Sequence, residues 1–286
     1  TFRHYNPESR LLFFTNAQQL PAYLEQLFAR LQVEVIRLPY RCMPPEGWYK
    51  AWRNQFYLYD ILRYMEGRMA ATDTLLVCDA DCLCRHPLAP LFQEVEAQGC
   101  ALYEQATDPA EPLNGINLQQ MEALYADCYG ETPSAPLSYY GGEFIALRGD
   151  AVARVNEGYR PLWQYNLQRF RQGLPKLNEE ALFLSVLAER LHLRNTIGNR
   201  YVKRMWTTPR FNNVHPGDEH LAVWHLPYEK KRGLYRLYKL LVDKPCIQDE
   251  QAFWARASRY TGIPHITPGK RLYDRIITLL QKIKAR

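Results

Sequence analysis

The apolar residues of this chain fall into short continuous runs that alternate with longer stretches of helical spacing. The runs within 10–16 and 33–38 predict two strands, and the apolar stripe within 17–31 predicts a helix between them. Three prolines and a glycine make 39–47 a loop, and the spacing within 48–65 is again helical. Alternation of this kind predicts parallel strands with helices packed on their faces.

The rest of the chain continues this alternation and becomes irregular beyond residue 197. We predict further strands within 75–78, 100–103, 137–147 and 222–225, and helices within 88–97, 118–129, 150–173 and 178–188. The expected fold class is therefore α/β, with a mostly parallel central sheet flanked by helices and a helical appendage at the C-terminus. We divide the chain into a main domain, 1–233, and a C-terminal helical extension, 234–286.

Two carboxylates directly follow the apolar run 75–78, which predicts a strand buried on both faces at the centre of the sheet. Asp79 and Asp81 point the same way because they are two residues apart at a strand end. Burying two like charges is costly unless a cation lies between them. We therefore expect the pair to share a divalent cation, or one to bind it while the other holds a ligand hydroxyl. The alternative is two solvated turn residues that end the strand.

The composition indicates a folded protein with an anionic partner. Hydrophobic residues make up 47% of the 286 residues and aromatic residues 13%, which excludes a largely disordered chain. The net charge of +6 suits phosphate-bearing or anionic partners and is too small to indicate nucleic acid. Twenty Tyr and six Trp offer rings for stacking on bases and sugar faces as well as for filling the core.

The seven cysteines do not form a disulfide framework, because their number is odd and some lie in or beside a predicted strand. We expect reduced thiols and a cytoplasmic location. Cys82 and Cys84 could suggest a soft-metal site, but no second Cys or His pair stands at zinc spacing, which favours buried thiols. No apolar run reaches the length of a membrane span and no secretory signal opens the chain. Since the chain opens on Thr1, a native start with a further strand could lie upstream.

The segment 269–286 predicts a basic amphipathic helix. Its apolar residues lie on one helical face and its basic residues elsewhere; the apolar set is Leu272, Ile276, Leu279, Leu280 and Ile283, and the basic set is Lys270, Arg271, Arg275, Lys282, Lys284 and Arg286. Such a helix can lie on an anionic membrane surface. It can equally pack on the body of the protein with a solvated outer face.

In the order of these features, residues 10–232 resemble the GT-A class of nucleotide-sugar glycosyltransferases. The shared features are two strand-helix units, an Arg-bearing helix, a strand ending in Asp79-Ala80-Asp81 as a DXD motif, a Gly-Gly strand, an acidic helix start and a late strand ending in His225. The chain is most similar to the retaining group that includes glycogenin and the bacterial lipopolysaccharide glucosyl- and galactosyltransferases. Two motifs depart from the family pattern: Tyr140-Gly141-Gly142-Glu143 replaces Asn-Ser-Gly, and Asn178-Glu179-Glu180 replaces Asp-Gln-Asp.

The resemblance implies a metal-dependent hexosyltransferase that takes a sugar from a nucleotide-sugar donor, of the UDP class, to a glycan or lipid-linked acceptor in surface polysaccharide synthesis. In that group a strand-end His followed by Gly and Lys completes the metal and diphosphate site, and His225, Lys230, Lys231 and Gly233 echo this pattern. We expect Asp81 and His225 to bind the metal directly, with Asp79 on metal or ribose.

The chemistry of this transfer explains the expected residues. A departing diphosphate gathers negative charge, so Mn²⁺ or Mg²⁺ lowers the barrier, and an imidazole ligand is tolerated best by Mn²⁺. Basic side chains can neutralise phosphate oxygens, and the double glycine lets the backbone approach a ligand or simply allows an unusual turn. The expected donor-site residues are Asp79, Lys50, Arg53, Gly141, Gly142, Lys230 and Lys231.

The catalytic candidates are the carboxylates of Glu143, Glu179 and Glu180. An inverting enzyme needs such a group as the base for the acceptor hydroxyl, whereas in a retaining enzyme it would steady the sugar cation or orient the acceptor. The sequence leaves both outcomes open, and one member of the Glu179 and Glu180 pair could be a plain helix-start charge.

Two other classes of protein remain as alternatives. A phosphatase similar to haloacid dehalogenases also uses two Asp at a strand end, but its pattern has Thr or Val where this chain has Leu83, and it usually opens the chain. A non-catalytic module that binds anionic surfaces or polysaccharides would explain the basic tail and the aromatic residues, but not the paired Asp.

Overall fold

The computed structural model describes residues 1–208, 211–242 and 247–284, with side chains through residue 281. Cys246, Arg286 and the side chains of Lys282, Ile283 and Lys284, which entered the analysis of cysteines and of the basic tail, lie outside the described residues.

Helices and strands alternate along the chain as an α/β fold requires, which confirms the predicted class. The strands are β1 (Leu11–Thr15), β2 (Val33–Arg37), β3 (Thr74–Cys78), β4 (Cys82–Cys84), β5 (Cys100–Gln105), β6 (Tyr139–Arg148), β7 (Val202–Arg204) and β8 (Val223–His225). The α-helices are α1 (Phe2–Tyr5), α2 (Ala22–Arg30), α3 (Tyr57–Met65), α4 (Ala89–Gln98), α5 (Leu118–Tyr129), α6 (Gly149–Arg171), α7 (Glu180–Arg190), α8 (Gly233–Leu241), α9 (Glu250–Thr261) and α10 (Pro268–Lys284).

Local chemistry accounts for several element boundaries. The side chain of Asn117 accepts from the backbone N–H of Gln120 and that of Gln120 accepts in return, so a capping box starts α5, which ends at Gly130 in the left-handed conformation. The helix predicted within 48–65 begins only at Arg53, as a 3₁₀ turn that leads into α3, because Trp52 before it has a left-handed backbone with φ 65°.

The direction of the strands corrects one prediction. Of the strand pairs in the described residues, β1–β2 and β7–β8 are parallel, whereas β3–β6, β5–β6 and β4–β8 are antiparallel, so the sheets are mixed and not mostly parallel. The expected central strand, β3, is half-buried and stands at the edge of the sheet β3-β6-β5. The reason is that β6, a long apolar strand that gives no sequence signal of its direction, takes the central place.

A cavity of about 1230 Å³ lies between β1 and β3. Residues 11–14 and 74–78 line it together with apolar side chains of α3 and α4. Among the described strands, β1 pairs only with β2 and β3 only with β6. Each of the two strands bordering the cavity therefore has one edge without a strand partner.

The C-terminal helices share a hydrophobic core with two of the site-bearing strands. Leu83 of β4 and Trp224 of β8 pack in one cluster with Leu237 of α8 and Trp254 of α9. The predicted domain boundary near residue 233 therefore crosses a continuous core. The division into two domains stays a prediction. No helix within the described residues has both the length and the apolar character needed to cross a membrane.

Candidate metal and sugar site

Strand register brings the predicted metal ligands together. Strands β4 and β8 pair with Cys82 opposite His225, which places the histidine beside the turn that carries Asp79 and Asp81. The backbone N–H of Leu226 donates to the carbonyl of Asp81 at 3.0 Å and fixes that turn against β8. On the other side of β8, Arg204 of β7 lies opposite His225.

The three expected ligands form one cluster. One ligand atom from each of Asp79, Asp81 and His225 lies within 4.8 Å of the others. Within the described part of the chain, these are the acidic, His or Cys side chains that lie close enough together to hold a metal ion. His225 Nε2 lies 3.5 Å from Asp79 Oδ2 and 3.4 Å from Asp81 Oδ2. The side chains of Asp81 and His225 are 3% exposed and that of Asp79 is 35% exposed, so the cluster opens to solvent on the side of Asp79.

The donor atoms of this cluster fit a divalent cation. Both ring nitrogens of His225 are buried without a hydrogen-bond partner among the described residues, and the buried Asp81 Oδ2 has the exposed Nζ of Lys230 near it, at 3.1 Å. Buried polar atoms are nearly always paired, so the unpaired Nε2 of His225, which faces the oxygens of Asp79 and Asp81, marks a place where a cation would fit. Two carboxylate oxygens and an imidazole nitrogen suit Mn²⁺, and Mg²⁺ less well.

The charges of the cluster balance each other when no metal is bound. Burial by itself lowers the pKa of His225, but the carboxylates of Asp79, Asp81 and Glu143 outweigh it and raise that pKa to about 10. Burial raises the pKa of Asp81, and His225 together with Lys230 outweighs this and lowers it. A protonated imidazole thus occupies the place of the positive charge that a cation would supply.

Glu143 lies on the Nδ1 side of the His225 imidazole and also lines the small cavity beside the cluster. Its two oxygens accept from Nε and Nη2 of Arg204, both at 2.6 Å, and its Oε1 lies 3.5 Å from Nδ1 of His225. A carboxylate behind a metal-binding histidine orients the ring and raises its basicity. This contact gives Glu143 a positioning role at His225, and its catalytic role stays a prediction.

The double glycine makes room for two carboxylates. A Cβ at Gly141 would overlap Oε2 of Glu143, and a Cβ at Gly142 would overlap Oε1 of Glu180. Both glycines thus let buried acidic side chains approach the backbone of β6. Gly142 also lines the small cavity beside the metal cluster.

Glu179 and Glu180 flank that cavity and differ in their partners. Glu179 accepts from the hydroxyl of Tyr139 at 2.8 Å and from Nδ2 of Asn114 at 2.6 Å. Glu180 Oε2 is buried and has no hydrogen-bond partner among the described residues. Burial and, after it, the charge of Glu179 raise the pKa of Glu180 well above its usual range. Glu180 is therefore the acidic group that remains free to meet a ligand.

The structure separates the expected phosphate-binding residues. Lys230 Nζ lies 3.1 Å from Asp81 Oδ2, with its side chain 59% exposed. Arg53 instead donates through Nη2 to the carbonyl of Pro44 at 2.7 Å, and neither it nor the exposed Lys50 lines the cavity. Lys231 is exposed and also lies outside the cavity lining. The roles of these four residues at the donor stay predictions.

Sequence reasoning missed Arg204, Asn114 and Trp52, all of which line the small cavity. Arg204 lies in the irregular basic stretch, where no periodicity points to it. Asn114 precedes Gly115, and this Asn-Gly pair is a turn signal that could have marked the loop.

A scan against models of known protein families finds no match, and a search of curated protein sequences finds none either. Among solved structures, mouse xyloside xylosyltransferase 1 in its apo form is similar with a TM-score of 0.45 and 12% identity, over 77% of this chain and 84% of that one. The galactosyltransferase LgtC, solved in complex with donor and acceptor sugar analogs, is similar with a TM-score of 0.45 and 14% identity, over 94% of this chain and 91% of that one. Similarity at this level assigns no role to any residue of this chain.

Proposed function

We propose that this chain is a metal-dependent glycosyltransferase of the hexosyltransferase type, which moves a sugar from a nucleotide-sugar donor of the UDP class to a glycan or lipid-linked acceptor. The observation that carries the proposal is the cluster of Asp79, Asp81 and His225, whose buried ligand atoms lack partners beside a cavity lined by further carboxylates. The DXD motif and the order of elements in the sequence support the same class.

The residues of the cluster would hold Mn²⁺ or Mg²⁺, which supplies Lewis-acid stabilisation of the departing diphosphate when bound. A metal at this site would need a neutral imidazole, so His225 would release its ring proton on binding. Lys230, exposed and close to Asp81, is then free to turn to a phosphate oxygen. Arg204 and Glu143 keep the ring of His225 in place throughout.

Glu179 and Glu180 are the carboxylates that would face the sugars. Glu179 is held by Tyr139 and Asn114 and can keep its orientation without a ligand. Glu180 carries the free oxygen and would accept or donate a hydrogen bond to a sugar hydroxyl. Such a carboxylate acts as the base for the acceptor hydroxyl in an inverting reaction, or orients the acceptor in a retaining one.

The proposal is tested by a thermal-shift panel of UDP, GDP, CMP and dTDP, each with Mn²⁺, Mg²⁺ or EDTA. A ligand at about 100 times its Kd stabilises the folded state by about 2.7 kcal/mol. We expect one nucleoside diphosphate, UDP first, to raise Tm with metal and not with EDTA. Asp81→Asn should abolish the shift, because losing a direct ligand costs more than the roughly 10–100-fold of an outer partner.

The matched control is Asp108→Asn, an exposed acid in the loop after β5, which should keep the shift. A full shift in Asp81→Asn would contradict the metal assignment. If no nucleotide stabilises folded protein while the chain hydrolyses p-nitrophenyl phosphate, the phosphatase is the better explanation.

We further propose a cytoplasmic enzyme of bacterial surface polysaccharide synthesis that contacts the membrane through α10. Leu272, Ile276, Leu279 and Leu280 of this helix are 46–61% exposed, while Lys270 at its start is buried in the body. The helix is thus anchored at one end and presents an apolar face. Replacing Leu272 and Leu279 by Asn should reduce co-sedimentation with vesicles of anionic lipid, and unchanged binding would remove this part of the proposal.

A further inference from the structure

A tryptophan stands exposed at the small cavity beside the metal cluster. Trp52 is 47% exposed and lines this cavity of about 170 Å³ together with Glu180 and His225. We propose that Trp52 is the platform on which a sugar ring of the acceptor stacks, with Asn114 and Glu180 beside it to meet the sugar hydroxyls. The inference rests on the proposed function and names a binding residue for its second substrate.

The indole of Trp52 is held in position and is not a loose surface side chain. Its Nε1 donates to Asn114 Oδ1 at 3.0 Å, and Asn114 Nδ2 donates to Glu179 at 2.6 Å. Tyr139 donates to the other oxygen of Glu179. A chain of hydrogen bonds thus joins the exposed ring to a buried carboxylate, and this fixes the ring before a ligand arrives.

The backbone of Trp52 is strained. Its φ of 65° and ψ of 10° lie in the left-handed region, which bulky residues rarely adopt. Such a conformation persists only where the surrounding structure imposes it, and it occurs most often at ligand sites. Glycine, or Asn or Asp, would fit this backbone better, so the indole occupies this position against the local preference.

The residues around the ring of Trp52 favour a sugar over other ligands that stack on an aromatic face. A second indole, that of Trp206, lines the same cavity, and so does Glu180, whose Oε2 is buried without a hydrogen-bond partner among the described residues. An aromatic face buries the C–H face of a pyranose while carboxylate and amide groups take the hydroxyls at its edge. The volume of about 170 Å³ is below the 300–1,000 Å³ of pockets for larger ligands, which suits one ring and not a whole nucleotide.

The test measures sugar binding separately from nucleotide binding. Methyl β-D-galactopyranoside, methyl β-D-glucopyranoside and methyl β-D-xylopyranoside are titrated by saturation-transfer NMR, with UDP and the diamagnetic ion Mg²⁺ present. We expect at least one glycoside to bind the wild-type protein through its C–H face. Trp52→Gly, which relieves the backbone strain and so should fold at least as well, should weaken that binding by about tenfold or more.

Two further variants make the result specific. Trp52→Phe keeps an aromatic face without the N–H donor and should restore part of the binding. Tyr23→Ala removes a ring that is 56% exposed on α2 and lies outside the cavity lining, so it should bind as the wild type does. The metal-dependent thermal shift with UDP should be the same in all four proteins.

Three results would overturn the platform. They are wild-type sugar affinity in Trp52→Gly, loss of the UDP shift with sugar binding intact, and no glycoside binding by a wild-type protein that does bind UDP. The second result would make the ring a nucleobase platform instead. Sugar binding that depends on Trp52 in a protein with no nucleotide shift would keep the platform and refute the transferase, so the two failures are distinguishable.

Discussion

Two clusters in this protein each combine buried carboxylates with positive charge, and they are built differently. Near the C-terminus, Lys270 donates to Glu229 at 2.9 Å and to the two oxygens of Asp274 at 2.7 and 2.6 Å. Glu229 also accepts from Thr207 and, at 2.8 Å, from the backbone N–H of Gly233. In the cluster of Asp79, Asp81 and His225 the corresponding contacts are 3.4 and 3.5 Å long.

The difference separates a structural role from a binding role. Lys270, Glu229 and both oxygens of Asp274 are matched at hydrogen-bond distance, so these three residues tie α10 to the core and need no ligand. At the other cluster, Nε2 of His225 faces two carboxylate oxygens without a hydrogen bond among the described residues, and the nearby cation, that of Lys230, is exposed. Burial of acidic residues alone therefore does not single out the candidate site; the convergence of an unpaired imidazole nitrogen and two carboxylates does.

Disrupting the Lys270 cluster should have the largest effect on stability. Lys270→Met removes the cation from two buried carboxylates, and stranding such charges costs about 3–5 kcal/mol. Urea denaturation followed by circular dichroism measures the loss in the free energy of unfolding. Lys231→Met, an exposed lysine in the segment before α8, serves as the control and should be close to wild type. Equal stability of the two variants would contradict the structural role of the Lys270 cluster.

In the absence of metal, the cluster of Asp79, Asp81 and His225 should make the free energy of unfolding depend on pH. The pKa of His225 is raised from 6.5 to about 10 in the folded state, so its contribution to stability is complete below about pH 6.5 and is lost as pH rises toward 10. In EDTA, we expect the free energy of unfolding to fall by about 2 kcal/mol between pH 7 and 9. His225→Gln should flatten this slope, and a slope unchanged by that substitution would argue against the buried imidazolium.

Lys230, the lysine beside Asp81, should contribute least to stability. Lys230→Ala removes an exposed partner of Asp81, and exposed ion pairs contribute about 0–1 kcal/mol. We expect unfolding in urea within that range, together with weaker metal-dependent binding of UDP by calorimetry. A loss as large as that of Lys270→Met would erase the distinction between the two clusters.

The sequence was sufficient to single out the three residues of the candidate metal cluster and insufficient for what surrounds them. Asp79 and Asp81 stood out through their spacing at a strand end, and His225 through its place at the end of a late strand together with the resemblance. Their binding of a metal stays a prediction. Arg204 of β7 meets Glu143 of β6 across 61 residues of sequence and between two different sheets, and no local pattern encodes that contact.

The same limit applies to strand direction and to the glycines. An apolar run such as β6 looks alike whether its neighbours are parallel or antiparallel, so the mixed sheet could not be predicted from periodicity. Gly141 and Gly142 were singled out for a close approach to a ligand or for an unusual turn, and the groups that approach them in the structure are the carboxylates of Glu143 and Glu180. Their role at a ligand stays a prediction. Strands β4 and β7, three residues each, are too short to show a period.

The cavity between β1 and β3 gives these strands an uneven protection from solvent. Successive backbone N–H groups of a strand point to opposite edges, and β3 has a strand partner on the β6 edge alone among the described residues. In hydrogen–deuterium exchange, the amides of residues 74–78 should therefore alternate between slow and fast exchange along one strand. An unpaired edge of this kind is also a template for further strand pairing, so association of the protein through β1 or β3 would begin at these fast-exchanging amides.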